Sequence, residues 1–124
     1  MASIGQIEDT IAKKVTKFYV ETLGHGPKET RVYIIDDMAI VRLNGKLLPI
    51  EQKLLERENG VELVKDIRKV LHATLTKSLS TIVEEVTGHN VVSSHSDIST
   101  KTGEVFEVFI LDESYHNSNK KSSG

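Results

Sequence analysis

The sequence predicts an α+β domain built as a two-layer sandwich, with a mostly antiparallel four-stranded sheet and helices packed on one face. Two observations predict it. Apolar residues recur at helical spacing in two long segments, and four short β-rich runs are arranged as two hairpins. The elements follow in the order α-β-β-α-α-β-β. Because a sheet must bury an apolar face, we expect the hairpins to join into one sheet beneath the helices.

The first half of the chain predicts a helix followed by a hairpin. Ser3 and Gln6 have the spacing of a capping box, and Gly24 ends the helix. Its apolar face is marked by Ile4, Ile7, Ile11, Val15 and Phe18. Residues 30–36 and 38–44 are β-rich runs with Asp36-Asp37 as the turn. Both runs have apolar residues at successive positions, so we expect the hairpin to be covered on both faces, with a second subunit on one of them.

The second half predicts two helices and a second hairpin. A short helix should span Ile50–Glu58, and a long one Val61–Thr87 with Gly88 as its C-cap. At about 1.5 Å per residue the long helix would measure about 40 Å. Either it breaks near residues 74–76 or its far end packs on another chain. Strands follow at residues 90–100 and 104–111, so residues 1–112 form one domain and the polar segment 113–124 is expected to be disordered.

Composition excludes several classes of protein. The net charge of −2 argues against a nucleic-acid binder, because phosphate neutralisation needs a basic face. The chain has no cysteine, which excludes disulfides, thiolate nucleophiles and Cys-ligated zinc. Charged residues interrupt the N-terminal helix at every turn, and no run approaches the roughly 18 apolar residues of a membrane span. We therefore expect a cytoplasmic protein without a signal peptide and without direct membrane insertion.

Three segments of the chain resemble the MpsC-like family. They are residues 26–37 (GPKETRVYIIDD), residues 41–51 (VRLNGKLLPIE) and residues 91–104 (VVSSHSDISTKTGE). The resemblance covers about residues 3–112, and residues 93–103 are its most specific part. It implies a small bacterial accessory protein of a sodium-translocating, membrane-potential-generating system, linked to ion or inorganic-carbon uptake. It implies no set of catalytic residues.

The richest polar chemistry lies in residues 93–97 (SSHSD). On a strand, His95 and Asp97 project to the same face, where a carboxylate can orient an imidazole. A hydrolase is disfavoured, because no nucleophile elbow or oxyanion-hole motif is present. The alternatives are a solvated strand face and a surface that binds a small anion or a partner. The residues predicted for such binding are Arg31, Arg42, Ser94, His95, Asp97 and Lys101.

Other polar groups receive structural interpretations. Asp36 and Asp37 are predicted to stabilise a turn, and no pair of histidines has zinc-ligand spacing, so no metal site is expected. His72 is predicted to lie at the core or its boundary. The basic stripe of Lys65, Arg68 and Lys69 is interpreted as a solvated helix face.

These observations lead to three functional hypotheses. The first is a non-catalytic cytoplasmic accessory protein of a membrane ion or inorganic-carbon transport system, a homodimer that binds an integral-membrane subunit and needs no cofactor. The second is a sensor of a small anion such as bicarbonate. The third, which we disfavour, is an enzyme that uses His95 and Asp97 as an acid–base pair.

Overall fold

The computed structural model describes residues 2–24, 26–45 and 49–115. Its helices and strands are α1 (Ile4–Leu23), β1 (Glu29–Ile35), β2 (Met38–Asn44), α2 (Pro49–Leu55), α3 (Gly60–Thr87), β3 (Val91–Ile98) and β4 (Val105–Leu111). The predicted α+β class and element order are confirmed. Helix α2 differs most from its prediction, since it ends at Leu55 and not at Glu58.

The four strands form one sheet in the order β1-β2-β4-β3, and each neighbouring pair is antiparallel. The two strands of each predicted hairpin pair with each other, β1 with β2 and β3 with β4. The pairing of β2 with β4 joins the two hairpins into one sheet. Helices α1 and α3 contact each other and pack on the same face of the sheet. The buried sheet positions are Val32 and Ile34, Ala39, Val41 and Leu43, Ile98, and Val105, Glu107, Phe109 and Leu111.

Local chemistry explains where the first elements begin and end. The Ser3 hydroxyl accepts a hydrogen bond from the Gln6 amide at 3.2 Å, and the Gln6 side chain accepts one from the Ser3 amide at 2.8 Å. This is the predicted capping box. At the first hairpin turn Asp36 has a φ of 54°, a left-handed conformation that Asp tolerates better than most residues.

Helix α3 is continuous for 28 residues, about 42 Å at 1.5 Å per residue. The break considered near residues 74–76 does not occur. The Thr74 hydroxyl instead donates to the carbonyl of Val70 at 3.0 Å, within the helix. The other outcome expected for a helix of this length, that its far end packs on another chain, stays a prediction.

The predicted disordered tail starts at residue 113, and residues 113–115 are described. The Tyr115 amide donates to the carbonyl of Asp36 at 2.8 Å, and its ring lies 5.1 Å from that of His89. This start of the tail therefore contacts both the first hairpin turn and the segment after α3. Residues 116–124, including His116, lie outside the described residues.

Candidate functional site

The sheet face away from the helices is built from side chains of all four strands, and we call it the open face. Cross-strand partners share a face, so the register defines three rows across it. The first row is Arg31, Arg42, Phe106 and Asp97; the second is Tyr33, Ile40, Val108 and His95; the third is Ile35, Met38, Ile110 and Ser93.

The open face has an apolar centre and polar sides. Ile35 is 50% exposed and Phe106 is 41% exposed, while the other apolar members are half-buried by their neighbours. Polar side chains of β3 line one edge, and two arginines lie at one end. Helices cover only the opposite face among the described residues, so the expected cover on both faces of the first hairpin is not supplied within one chain. The second subunit predicted there remains a prediction.

The arginine end of the open face is a cluster of ion pairs around a cavity of about 170 Å³. Arg42 donates to Glu104 at 2.8 Å and lies 5.3 Å from the centre of the Phe106 ring, while Arg31 pairs with Glu29. The hydrogen bond to Glu104 raises the pKa of Arg42, so its guanidinium stays charged. Because both carboxylates line the cavity beside the arginines, an anion binding here would have to compete with them.

The predicted binding residues are only partly brought together. Arg31, Arg42, His95 and Asp97 share the open face, and the first two are direct cross-strand partners. Ser94 lies on the opposite face of β3, and Lys101 lies in the exposed turn after it. His95 and Asp97 project to one face as predicted, but the Asp97 carboxylate accepts a hydrogen bond from the Ile98 amide at 2.8 Å.

Two buried polar contacts lie on the helix side of the sheet and were not predicted. Arg68 of α3 donates two hydrogen bonds, both 2.6 Å long, to the carboxylate of Glu51 in α2. His72 of α3 is 3.0 Å from the carboxylate of Glu107 in β4. Glu51, His72 and Glu107 are 5%, 7% and 2% exposed, respectively. The interpretation of Arg68 as part of a solvated stripe is wrong, because its guanidinium is folded under α2 against Glu51.

The sequence does contain a signal for these contacts. Arg68 and His72 follow Val64 at successive four-residue steps, which places both on the helix face that also carries Leu75 and Leu79. Glu107 likewise alternates with apolar residues on the buried face of β4. A polar side chain on an apolar face requires a partner when it is buried, so three such residues indicate a polar cluster in the core.

Tyr19 of α1 adds an unpaired hydroxyl to this region. Neither the Tyr19 hydroxyl nor the second carboxylate oxygen of Glu107 has a hydrogen-bond partner in the described part of the chain. Burial raises the pKa of Tyr19 well above its usual range, and the negative charge of Glu107 raises it further, whereas Arg68 acts in the opposite direction. The phenol therefore stays protonated and can donate a hydrogen bond.

Replacing Tyr19 with phenylalanine should remove part of the alkaline destabilisation of the fold. The folded state keeps the phenol proton above the usual pKa of about 10, whereas the unfolded state loses it, so Tyr19 costs about 1.4 kcal/mol per pH unit above pH 10. Below pH 10 both states keep the phenol proton, so Tyr19 causes no such loss of stability. Urea unfolding from pH 8 to 11 should show a shallower decline for Tyr19→Phe than for wild type. The control Tyr33→Phe, on the open face, should decline as wild type does; equal slopes for Tyr19→Phe would contradict the burial of this hydroxyl.

Two further properties of the described residues bear on function. None of their helices combines the length and apolar character needed to cross a membrane. They also hold no group of three or more His, Asp or Glu side chains arranged to ligate a metal ion.

Comparisons with known proteins place the chain in a family. The family model for the Na⁺-translocating membrane potential-generating system (MpsC) matches residues 3–113. The chain is 36% identical over 109 residues to a protein of Bacillus subtilis (strain 168) named uncharacterized protein YbcI, a match that covers 88% of each chain. No solved structure matches. The family match spans the whole α+β domain, as the resemblance of the three segments implied, and the chain belongs to the MpsC family.

Proposed function

We propose that the protein is a non-catalytic cytoplasmic accessory protein of the Na⁺-translocating, membrane-potential-generating system for which its family is named, and that it acts by binding an integral-membrane subunit. The family match supports the system. The observation that supports binding is a second apolar face on α3, which the core does not use.

The second face consists of Leu63, Ile67 and Val70, which we call the outer stripe. Ile67 is 51% exposed and Val70 is 67% exposed. Their spacing of four and then three residues places them on one side of the helix, away from the buried positions that begin at Val64.

Burial in the core therefore does not explain the outer stripe. Apolar residues at i, i+4 and i+7 are the anchors by which an amphipathic helix packs against another helix. Asp66 and Lys69 lie on one side of the stripe and carry one charge of each sign, as at the polar rim of an interface. The outer stripe fits a helix that a membrane subunit exposes to the cytoplasm.

The double variant Ile67→Glu, Val70→Glu should abolish this contact without unfolding the protein. Both side chains are at least half exposed, so thermal stability should change little, while two charges on an apolar interface should weaken binding by more than about 10-fold. A photo-crosslinking residue at position 66, an exposed site beside the outer stripe that the double variant leaves unchanged, should attach the wild-type protein to an integral-membrane subunit of the system in native membranes.

The control is Val92→Glu, which adds one glutamate at a β3 position that is 62% exposed. It should leave both stability and crosslinking unchanged. Crosslinking that survives in the double variant, or that labels only soluble proteins, would refute the proposed contact.

A further inference from the structure

The two edge strands of the sheet each give a backbone donor to a helix carboxylate. Glu8 of α1 accepts a hydrogen bond from the amide of Ile34 in β1, and Glu84 of α3 accepts one from the amide of Val91 in β3, both at 2.8 Å. Exposed edges pair with other chains through such free donors, so these carboxylates oppose association through the edges. The other surface of the sheet available for association is the open face.

The open face has the composition of an interface. Its centre is formed by Ile40 and Val108 with apolar neighbours on three sides, and its charged side chains lie at the margins. An apolar centre inside a polar rim is the usual anatomy of protein contacts, and exposed apolar patches of this kind mark binding surfaces.

The arrangement of charges favours a second copy of the chain as the partner that binds the open face. Arg31 lies at one end of the first row and Asp97 at the other, and both are exposed. When two copies pack face to face about a two-fold axis parallel to the strands, each row lies on the reversed copy of itself. Arg31 of one copy then faces Asp97 of the other, so opposite charges meet twice.

The same operation matches the apolar positions. Ile40 faces Val108 of the second copy, and Met38 faces Ile110. Arg42 faces Phe106, a pairing that the two residues already make within one chain at 5.3 Å. An axis perpendicular to the strands would instead lay Arg31 on Ile35 and Arg42 on Met38, and so bury charges against apolar side chains.

We propose that the protein is a homodimer whose two sheets pack through their open faces about an axis parallel to the strands, with Arg31 of each copy against Asp97 of the other. The interface is separate from the outer stripe of α3. The dimer and the membrane-subunit contact can therefore be tested, and can fail, independently.

Sedimentation velocity of the full chain over a range of concentrations tests the dimer. Wild type should sediment as a dimer, and Ile40→Asp, at the centre of the face, should raise its dissociation constant by more than about 100-fold. Val92→Asp, at an exposed position outside the three rows, should leave the dissociation constant unchanged. Ile40→Asp should keep the circular dichroism spectrum of the wild type and its crosslink from position 66.

A charge exchange tests the direction of the axis. Arg31→Asp and Asp97→Arg should each weaken the dimer about 10-fold, and the double variant should return to within about threefold of wild type. Rescue is expected only if the two residues meet across the interface. A wild-type protein that is monomeric at high concentration, a dimer that Ile40→Asp leaves intact, or a double variant as weak as the sum of its parts would each overturn the proposal.

Discussion

Replacing Arg68 with alanine should lower the free energy of unfolding by about 3 kcal/mol, because it removes two charge-assisted hydrogen bonds from a buried carboxylate. The Glu51 carboxylate is 5% exposed and receives two charge-assisted hydrogen bonds from Arg68. Helix α2 has only seven residues, and this contact fastens it to α3. Chemical denaturation would measure the loss, and hydrogen exchange should show α2 opening first.

Two substitutions control the Arg68 experiment. Lys65→Ala, at an exposed position one turn earlier on α3, should change stability by less than about 0.5 kcal/mol. Arg68→Lys keeps the charge but not the planar pair of donors, so its loss of stability should fall between those of Lys65→Ala and Arg68→Ala. If Arg68→Ala proves as stable as Lys65→Ala, the buried pair does not form in solution and the solvated interpretation of this stripe would be restored.

The fold could be predicted from the sequence because its signals are local. The capping box at Ser3, the apolar period of α1 and α3, and the turn at Asp36 each act over a few residues and agree with one another. The end of α2 was less predictable. Residues 56–59 form turns, and Gly60 starts α3 so close to α2 that a Cβ atom there would lie 1.8 Å from the carbonyl oxygen of Leu54. Such a close approach is a tertiary fact that no local pattern encodes.

The binding surface was harder to predict for a physical reason. Alternation along each strand identifies two faces but does not say which face the helices cover. Both faces of β4 carry apolar residues, so either could have been the buried one. The grouping of Arg31 with Arg42 depends on strand register, and that of His72 with Glu107 joins α3 to β4 across 35 residues. The segment with the most polar sequence instead became the exposed edge strand β3.

Helix α3 connects these parts of the molecule. Its inner side holds Arg68 and His72 against α2 and β4, and its outer stripe is the proposed contact with the membrane subunit. Both sides lie on the same turns of the helix. A partner bound at Ile67 and Val70 would therefore contact the segment of α3 that positions the two buried polar contacts. Because such binding stabilises that segment, it should also slow hydrogen exchange in α2.

Replacing His72 with leucine should cost about 3 kcal/mol, because it removes the hydrogen-bond partner of a Glu107 carboxylate that is 2% exposed and has an unpaired second oxygen. Glu107→Met should cost less, since the imidazole it leaves need not carry a charge. The double variant His72→Leu, Glu107→Met fills the same space with apolar atoms and should return to within about 1 kcal/mol of wild type, or exceed it. Urea unfolding of the four proteins at neutral pH completes the double-mutant cycle.

The cycle separates two roles for this contact. A double variant that regains stability but loses the dimer or the membrane-subunit crosslink would show that His72 and Glu107 act in assembly, through the positions of α3 and β4. One that regains stability and keeps both contacts would show that apolar packing serves equally well there. If the double variant is as unstable as His72→Leu, the polar contact itself stabilises the core and is not exchangeable for apolar packing. The unpaired oxygen of Glu107 argues against that last result, because a carboxylate with half of its acceptors unused gains little from burial.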